Sequence, residues 1–177
     1  MFNSEYIFRM VEETYKKYRT RDPYELLSCM GAEVHFTREF SPEGLKGYCT
    51  VIKRIKIAVI NAFLNEYEQR MVAGHEAAHL ILHTNEIYRS PVRALRDFHM
   101  FNDNGKIERE ANMFAADFMI SDDDVMESVS DEYSDFFRSS RELGIRPELF
   151  AFKLYSMGQR NYGVHSPIDL DSKFLGR

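Results

Sequence analysis

Long apolar runs, tryptophan and a cysteine framework are all missing from this chain of 177 residues. No uninterrupted apolar stretch approaches the ~18 residues of a membrane span. The amino terminus, Met1-Phe2-Asn3-Ser4-Glu5, has no positive region leading into an apolar one, so no secretory signal is expected. Cysteine occurs only twice, at Cys29 and Cys49. Without an export signal, two reduced thiols in a cytoplasmic protein are expected rather than a disulfide. Two cysteines also cannot build a cysteine-rich metal site. Nor is there a basic excess: 23 Lys and Arg face 28 Asp and Glu, a net charge of -5, with a pI near 5.7. Binding nucleic acid through its phosphates calls for a basic face, so direct nucleic-acid binding is disfavoured. The two short basic runs, Lys16-Lys17-Tyr18-Arg19 and Lys53-Arg54-Ile55-Lys56, read as solvated faces.

What is present is an ordinary globular composition, 44% hydrophobic and 29% charged, enough for one domain with a real core and at most a small appendage. Ile7, Met10, Val11, Tyr15 and Tyr18 recur at helical spacing and predict a helix from Ser4 to Tyr18. Pro23 opens a second, ended by Gly31, and Glu33-Val34-His35-Phe36 reads as a strand. From Leu45 to Leu64, β-branched and aromatic residues flank Lys53-Arg54 as in a hairpin, with Gly47 at an edge or a close backbone approach. Asn65 with Glu68 marks the start of a helix running to about His83, where Thr84-Asn85 stops it. Glu86 to Asn104 reads as irregular or weakly extended. A strong helix follows from Lys106 to Ile120, then one capped by Ser121, then helices from Asp131 to Leu143 and Pro147 to Met157. The tail from Gly158 lacks periodicity and is expected at the surface. The class is α+β, a small antiparallel sheet packed against helices.

The chemistry concentrates in His75-Glu76-Ala77-Ala78-His79. Four residues advance a helix by about 400°, so His75 and His79 project from one face, a turn apart. Two imidazoles so placed can share one metal ion. Glu76, about 100° round the helix, would flank the open position and act as general base. By this chain's own His and Glu content the pattern arises by chance in roughly two of a hundred shuffles. The motif is also embedded in Val72, Ala73, Gly74, Leu80, Ile81 and Leu82, and burying two His and a Glu unpaired is costly.

A catalytic zinc needs a third protein ligand. Glu108 and Glu110 both flank the apolar stripe of the Lys106–Ile120 helix, so period alone does not choose. Two details favour Glu108: Ala111 and Ala115 on its flank admit a neighbouring helix, and Asn112 lies four residues on, placed to support a ligand. Glu110 is expected to face solvent or pair with a basic group. His83 is too far along the axis to join the same tetrahedron and reads as a hydrogen-bonded structural histidine. His35, His99 and His165 have no partner spacing.

Leu45-Lys46-Gly47-Tyr48, then Ile57-Ala58-Val59-Ile60-Asn61, then the His75–His79 helix ending Ile81-Leu82-His83, then Glu108-x-Glu110-Ala111-Asn112-x-Phe114-Ala115-Ala116, together resemble the ImmA/IrrE metallo-endopeptidases over about residues 10 to 120. The departures are Ala78, where the family often has Gly, and Met119-Ile120-Ser121, where its helix commonly ends in Met-Pro. The resemblance implies a gluzincin-like zinc peptidase domain over residues 1–125 with a helical extension, 126–177, packed on it. It implies one Zn2+ on His75, His79 and Glu108 with Glu76 as general base, and a helix-turn-helix transcriptional repressor as protein substrate, with no membrane or direct nucleic-acid partner. The competing expectation is a zinc-stabilised module that binds a regulatory partner without cutting it. The intact Glu76 argues against that, since a purely structural site has no use for a base.

Overall fold

The computed structural model describes residues 4–89, 104–130, 135–171 and 174–175. Pro91 and His99, most of the segment expected to be irregular, and the expected helix start at Asp131 lie outside them.

Helix α1 (Ser4–Tyr18) buries Ile7 and Val11 along one stripe. Helix α2 (Pro23–Cys29) starts where Asp22 accepts hydrogen bonds from the Tyr24 and Glu25 amides. Pro23 at its first turn donates no hydrogen bond and loses none there. Gly31, at φ +68°, then turns the chain into β1 (Ala32–Thr37).

Strands β2 (Gly47–Ile52) and β3 (Ile55–Asn61) form the expected hairpin. Ile52 pairs with Ile55, leaving a two-residue turn at Lys53 and Arg54, both at positive φ (50° and 71°). That double αL geometry matches the right-handed twist of the strands. The sheet order is β1-β3-β2. One detail departs from expectation: β1 runs parallel to β3, so the sheet is mixed and not wholly antiparallel. The cause is topological. Residues 38–46 carry the chain past the place β3 will take, and β3 then inserts between its two predecessors. The buried Asn61 ties this crossing down, its amide donating to the Ser41 and Leu45 carbonyls at 2.9 and 3.0 Å.

Helix α3 (Glu66–Leu82) begins at Asn65, whose side-chain oxygen accepts from the Glu68 amide at 3.0 Å. Every residue from Met71 to Leu80 is buried, because α3 lies across β2, β3, α2 and α5 at once. It does not end in a loop: Thr84-Asn85, expected as a stop, opens the short helix α4 (Thr84–Arg89), the Thr84 hydroxyl donating back to the Leu80 carbonyl at 2.5 Å.

Helix α5 (Asn104–Met119) is buried from Ala111 onward. At its exit, Arg21 donates to the Asp117 and Phe118 carbonyls, each at 3.0 Å. Ser121 then caps α6 (Asp122–Ser130), its hydroxyl accepting from the Asp124 amide at 3.0 Å. Helix α7 (Phe136–Glu142) is capped by Asp135. Gly144 turns the chain at φ +66°, and α8 (Pro147–Gln159) packs on α5. A largely buried network joins them: Lys153 Nζ reaches the buried Asp117 Oδ1 at 3.1 Å and the partly exposed Asp122 Oδ1 at 2.7 Å, and the Ser156 hydroxyl donates to Asp117. The tail is not simply a surface segment. Phe174 and Leu175 return to the core, Phe174 stacking on Phe152 at 6.2 Å, a long-range contact that leaves no local period.

Candidate metal centre

Two helices and one strand assemble the site. Helix α3 brings the histidines, α5 the acids, and β2 packs against the motif's far side. Two small residues let them approach. A Cβ on Gly74 would sit 2.7 Å from Met119 Sδ and 3.7 Å from the Ala115 methyl, so α3 and α5 meet across glycine and alanine. A Cβ on Gly47 would lie 2.4 Å from Val72 Cγ1 and 2.9 Å from the Val59 carbonyl, so β2 reaches α3 only with glycine there.

His75 Nε2 and His79 Nε2 stand 3.0 Å apart. Glu108 Oε2 is 3.2 Å from the first, and Glu108 Oε1 is 3.5 Å from the second. Both histidines are buried and the Glu108 side chain is 15% exposed. Among the described residues, these three form the group whose donor atoms could converge on a metal ion. Glu110, two residues along, points elsewhere.

The donor set fits a cation and fits protons poorly. A proton on His75 Nε2 leaves the bare His79 nitrogen facing a carboxylate oxygen. A proton on His79 Nε2 leaves His75 in that position, and protons on both set two N–H groups against each other. A cation bonded to all three at about 2.0–2.2 Å satisfies every edge, since two donors of a tetrahedron that size lie about 3.3 Å apart.

The electrostatics of the metal-free residues favour a bare His79 and an ionised Glu108. Burial drives His79 down to about 4, against the pull of Glu108, so its lone pair is free at neutral pH. Burial also works to raise Glu108, but hydrogen bonding to His75 and His79 outweighs it and holds the carboxyl well below the usual range. For His75, desolvation is overcome by hydrogen bonding and charge from Glu108, and its pKa rises. Asn112, four residues beyond Glu108 and fully buried, contributes a hydrogen bond to the same upward shift.

Glu76 is 2% exposed, and burial pushes its carboxyl up to about 7. Its Oε2 has no hydrogen-bond partner among the described residues. A supporting side chain was not anticipated: Cys49, on β2, hydrogen-bonds the Glu76 carboxylate, while burial holds the Cys49 thiol well above its ordinary pKa and hence protonated. Strand alternation turns Cys49 inward, but only the β2–α3 packing puts it on Glu76. Cys49 and the exposed Cys29 are both free thiols.

The remaining candidates lie outside the donor triangle. His83 is 5% exposed and its Nε2 lies 3.1 Å from Glu110 Oε2. Glu110 therefore pairs with a basic group, and also with Lys106 at 3.8 Å; its side chain, 16% exposed, does not project into solvent. His35 pairs with Glu33 on the exposed face of β1. Among the described residues, no helix is long and apolar enough to cross a membrane.

Residues 28–155 match the IrrE N-terminal-like domain, Peptidase_M78. Over 112 residues the chain is 34% identical to the "Uncharacterized immunity region protein 2" of Bacillus phage phi105, a match covering 63% of this chain and 66% of that protein. The chain thus spans just under two thirds of that relative's length.

Proposed function

Because this chain belongs to the IrrE N-terminal-like peptidase family, whose chemistry is of the metallopeptidase kind, we propose that it is a zinc-dependent endopeptidase acting on a transcriptional repressor. The observation that carries this is the meeting of His75 Nε2, His79 Nε2 and Glu108 within 3.5 Å, with the Glu76 carboxylate buried on the same helix.

In this reading His75, His79 and Glu108 hold one Zn2+. Bound there, zinc supplies Lewis acidity, polarising a peptide carbonyl and acidifying water. The Glu76 carboxylate takes a proton from the attacking water and returns it to the leaving amine nitrogen. Burial raises this carboxyl to about 7 in the metal-free chain, and a bound cation would draw it down from there, toward the ionised base that the first half of the transfer needs. The Cys49 S–H holds one side of the carboxylate, and the free Oε2 is left for the proton. The relative named for a phage immunity region fits a substrate among regulators of such a region.

The test is incubation with a repressor encoded beside the gene. The wild-type protein should release fragments, and a chelator should stop it. Glu76→Gln should slow cleavage by about 10²–10⁴-fold while keeping one zinc per chain. Cleavage by the Gln variant at the wild-type rate would refute the role of Glu76. Capture of the repressor by the wild type with no fragments would instead identify a zinc-stabilised binding module.

A further inference from the structure

A second line of polar groups runs outward from the donor triangle. His79 Nδ1 lies 3.1 Å from His83 Nδ1, and His83 Nε2 lies 3.1 Å from Glu110 Oε2. Both imidazoles are buried, so water does not compete for these contacts. Glu108 and Glu110 come from the same helix and straddle its stripe, one reaching His75 and His79, the other His83.

With both imidazoles neutral, one order of protons satisfies this line. The Glu110 carboxylate can accept but not donate, so the proton of neutral His83 sits on Nε2. His83 Nδ1 is then a lone pair and accepts from His79 Nδ1–H. That leaves His79 Nε2 bare, aimed at His75 and Glu108. The opposite tautomer of His79 would set two lone pairs against each other at Nδ1 and thrust an N–H into the donor triangle.

We propose that His83 and Glu110 are positioning residues for the metal centre: acting through His79, they fix its tautomer and ring orientation and so raise the affinity of the site for zinc. The proposal rests on the reading of His75, His79 and Glu108 as ligands. Partners of this kind commonly account for about 10- to 100-fold of metal affinity.

The experiment is competition for zinc between the full-length protein and a chromophoric chelator, with circular dichroism on each variant. His83→Leu should weaken zinc binding about 10- to 100-fold. Glu110→Leu should weaken it in the same direction, and the double variant should bind no worse than His83→Leu alone, because Glu110 acts through His83. His83→Gln, which keeps an acceptor for His79 and a donor for Glu110, should recover most of the affinity, as a merely space-filling role would not require. If His83→Leu fails to fold, Glu110→Leu carries the same expectation. Tight wild-type binding, with variants of native helix content within about twofold of it, would overturn the relay and leave the metal reading standing. A wild type that binds zinc no better than His75→Ala would overturn the metal reading itself.

Discussion

Replacing Glu76 by Gln should change the stability of the metal-free protein in a way that depends on pH. Glu76 is 2% exposed, and its carboxyl is raised from 4.5 to about 7, chiefly by burial. Below about pH 4.5 the group is protonated whether the chain is folded or not, and it carries no penalty. Between there and pH 7 the unfolded chain gives up its proton while the folded chain keeps it, so stability falls as pH rises. Above pH 7 the folded protein holds an ionised, buried carboxylate and the deficit is complete, about 3 kcal/mol for a displacement of that size. Gln has the same shape and no charge to bury. In urea titrations with excess chelator, the Gln variant should gain on the wild type by about 2–3 kcal/mol between pH 5 and pH 8.5. The comparison cancels titrating groups that the two proteins share, apart from His75 and Glu108, whose charges act on Glu76. A stability difference that stays constant over that range, or reverses, would refute the reasoning and the burial of an ionisable base with it.

The two close approaches should differ in cost. Gly47→Ala drives a methyl into Val72 and the Val59 backbone and should destabilise by about 1–3 kcal/mol in chemical unfolding. Gly74→Ala comes too close only to the flexible Met119 sulfur and touches the Ala115 methyl at an ordinary distance, so it should cost clearly less, partly offset by better helix propensity; equal costs would contradict this packing. Lys153→Met leaves the fully buried Asp117 to the Ser156 hydroxyl and to Arg160 at 3.5 Å and should cost about 3 kcal/mol, the low end for a broken buried pair, most of it recovered when Asp117→Asn is added. A near-neutral single variant would show that the pair is not desolvated.

The parts of the fold written in local chemistry were legible. Asn65 with Glu68, Pro23 and Gly31 punctuate helices where the backbone needs a cap, a ring or a positive φ, and they do so in the structure. The β2–β3 hairpin followed from β-branched runs on either side of two residues. The α+β class followed from these elements together. What depends on distant packing was not legible. Nothing within β1 reveals that β3 will slip in beside it, in parallel. Phe174 and Leu175 carry no period, yet they close over Phe152. Thr84-Asn85 has the chemistry of a helix stop and equally that of a helix start. At the site, His75, Glu76 and His79 stood out because a helix fixes their relative directions. The choice between Glu108 and Glu110 rested on small neighbours and on Asn112, since both acids flank the same stripe. The structure sets them on different histidines, a distinction that depends on how α5 crosses α3. Cys49 beside Glu76 is a contact between a strand and a helix, and only the assembled fold displays it.

X-ray absorption at the zinc edge of the loaded protein addresses the centre most directly. Two imidazole nitrogens at about 2.0–2.1 Å with carboxylate oxygen at about 2.0–2.2 Å and no sulfur is the shell that His75, His79 and Glu108 would give. A sulfur scatterer near 2.3 Å, or a single imidazole, would mean that the ion sits elsewhere and that these three residues do not hold it.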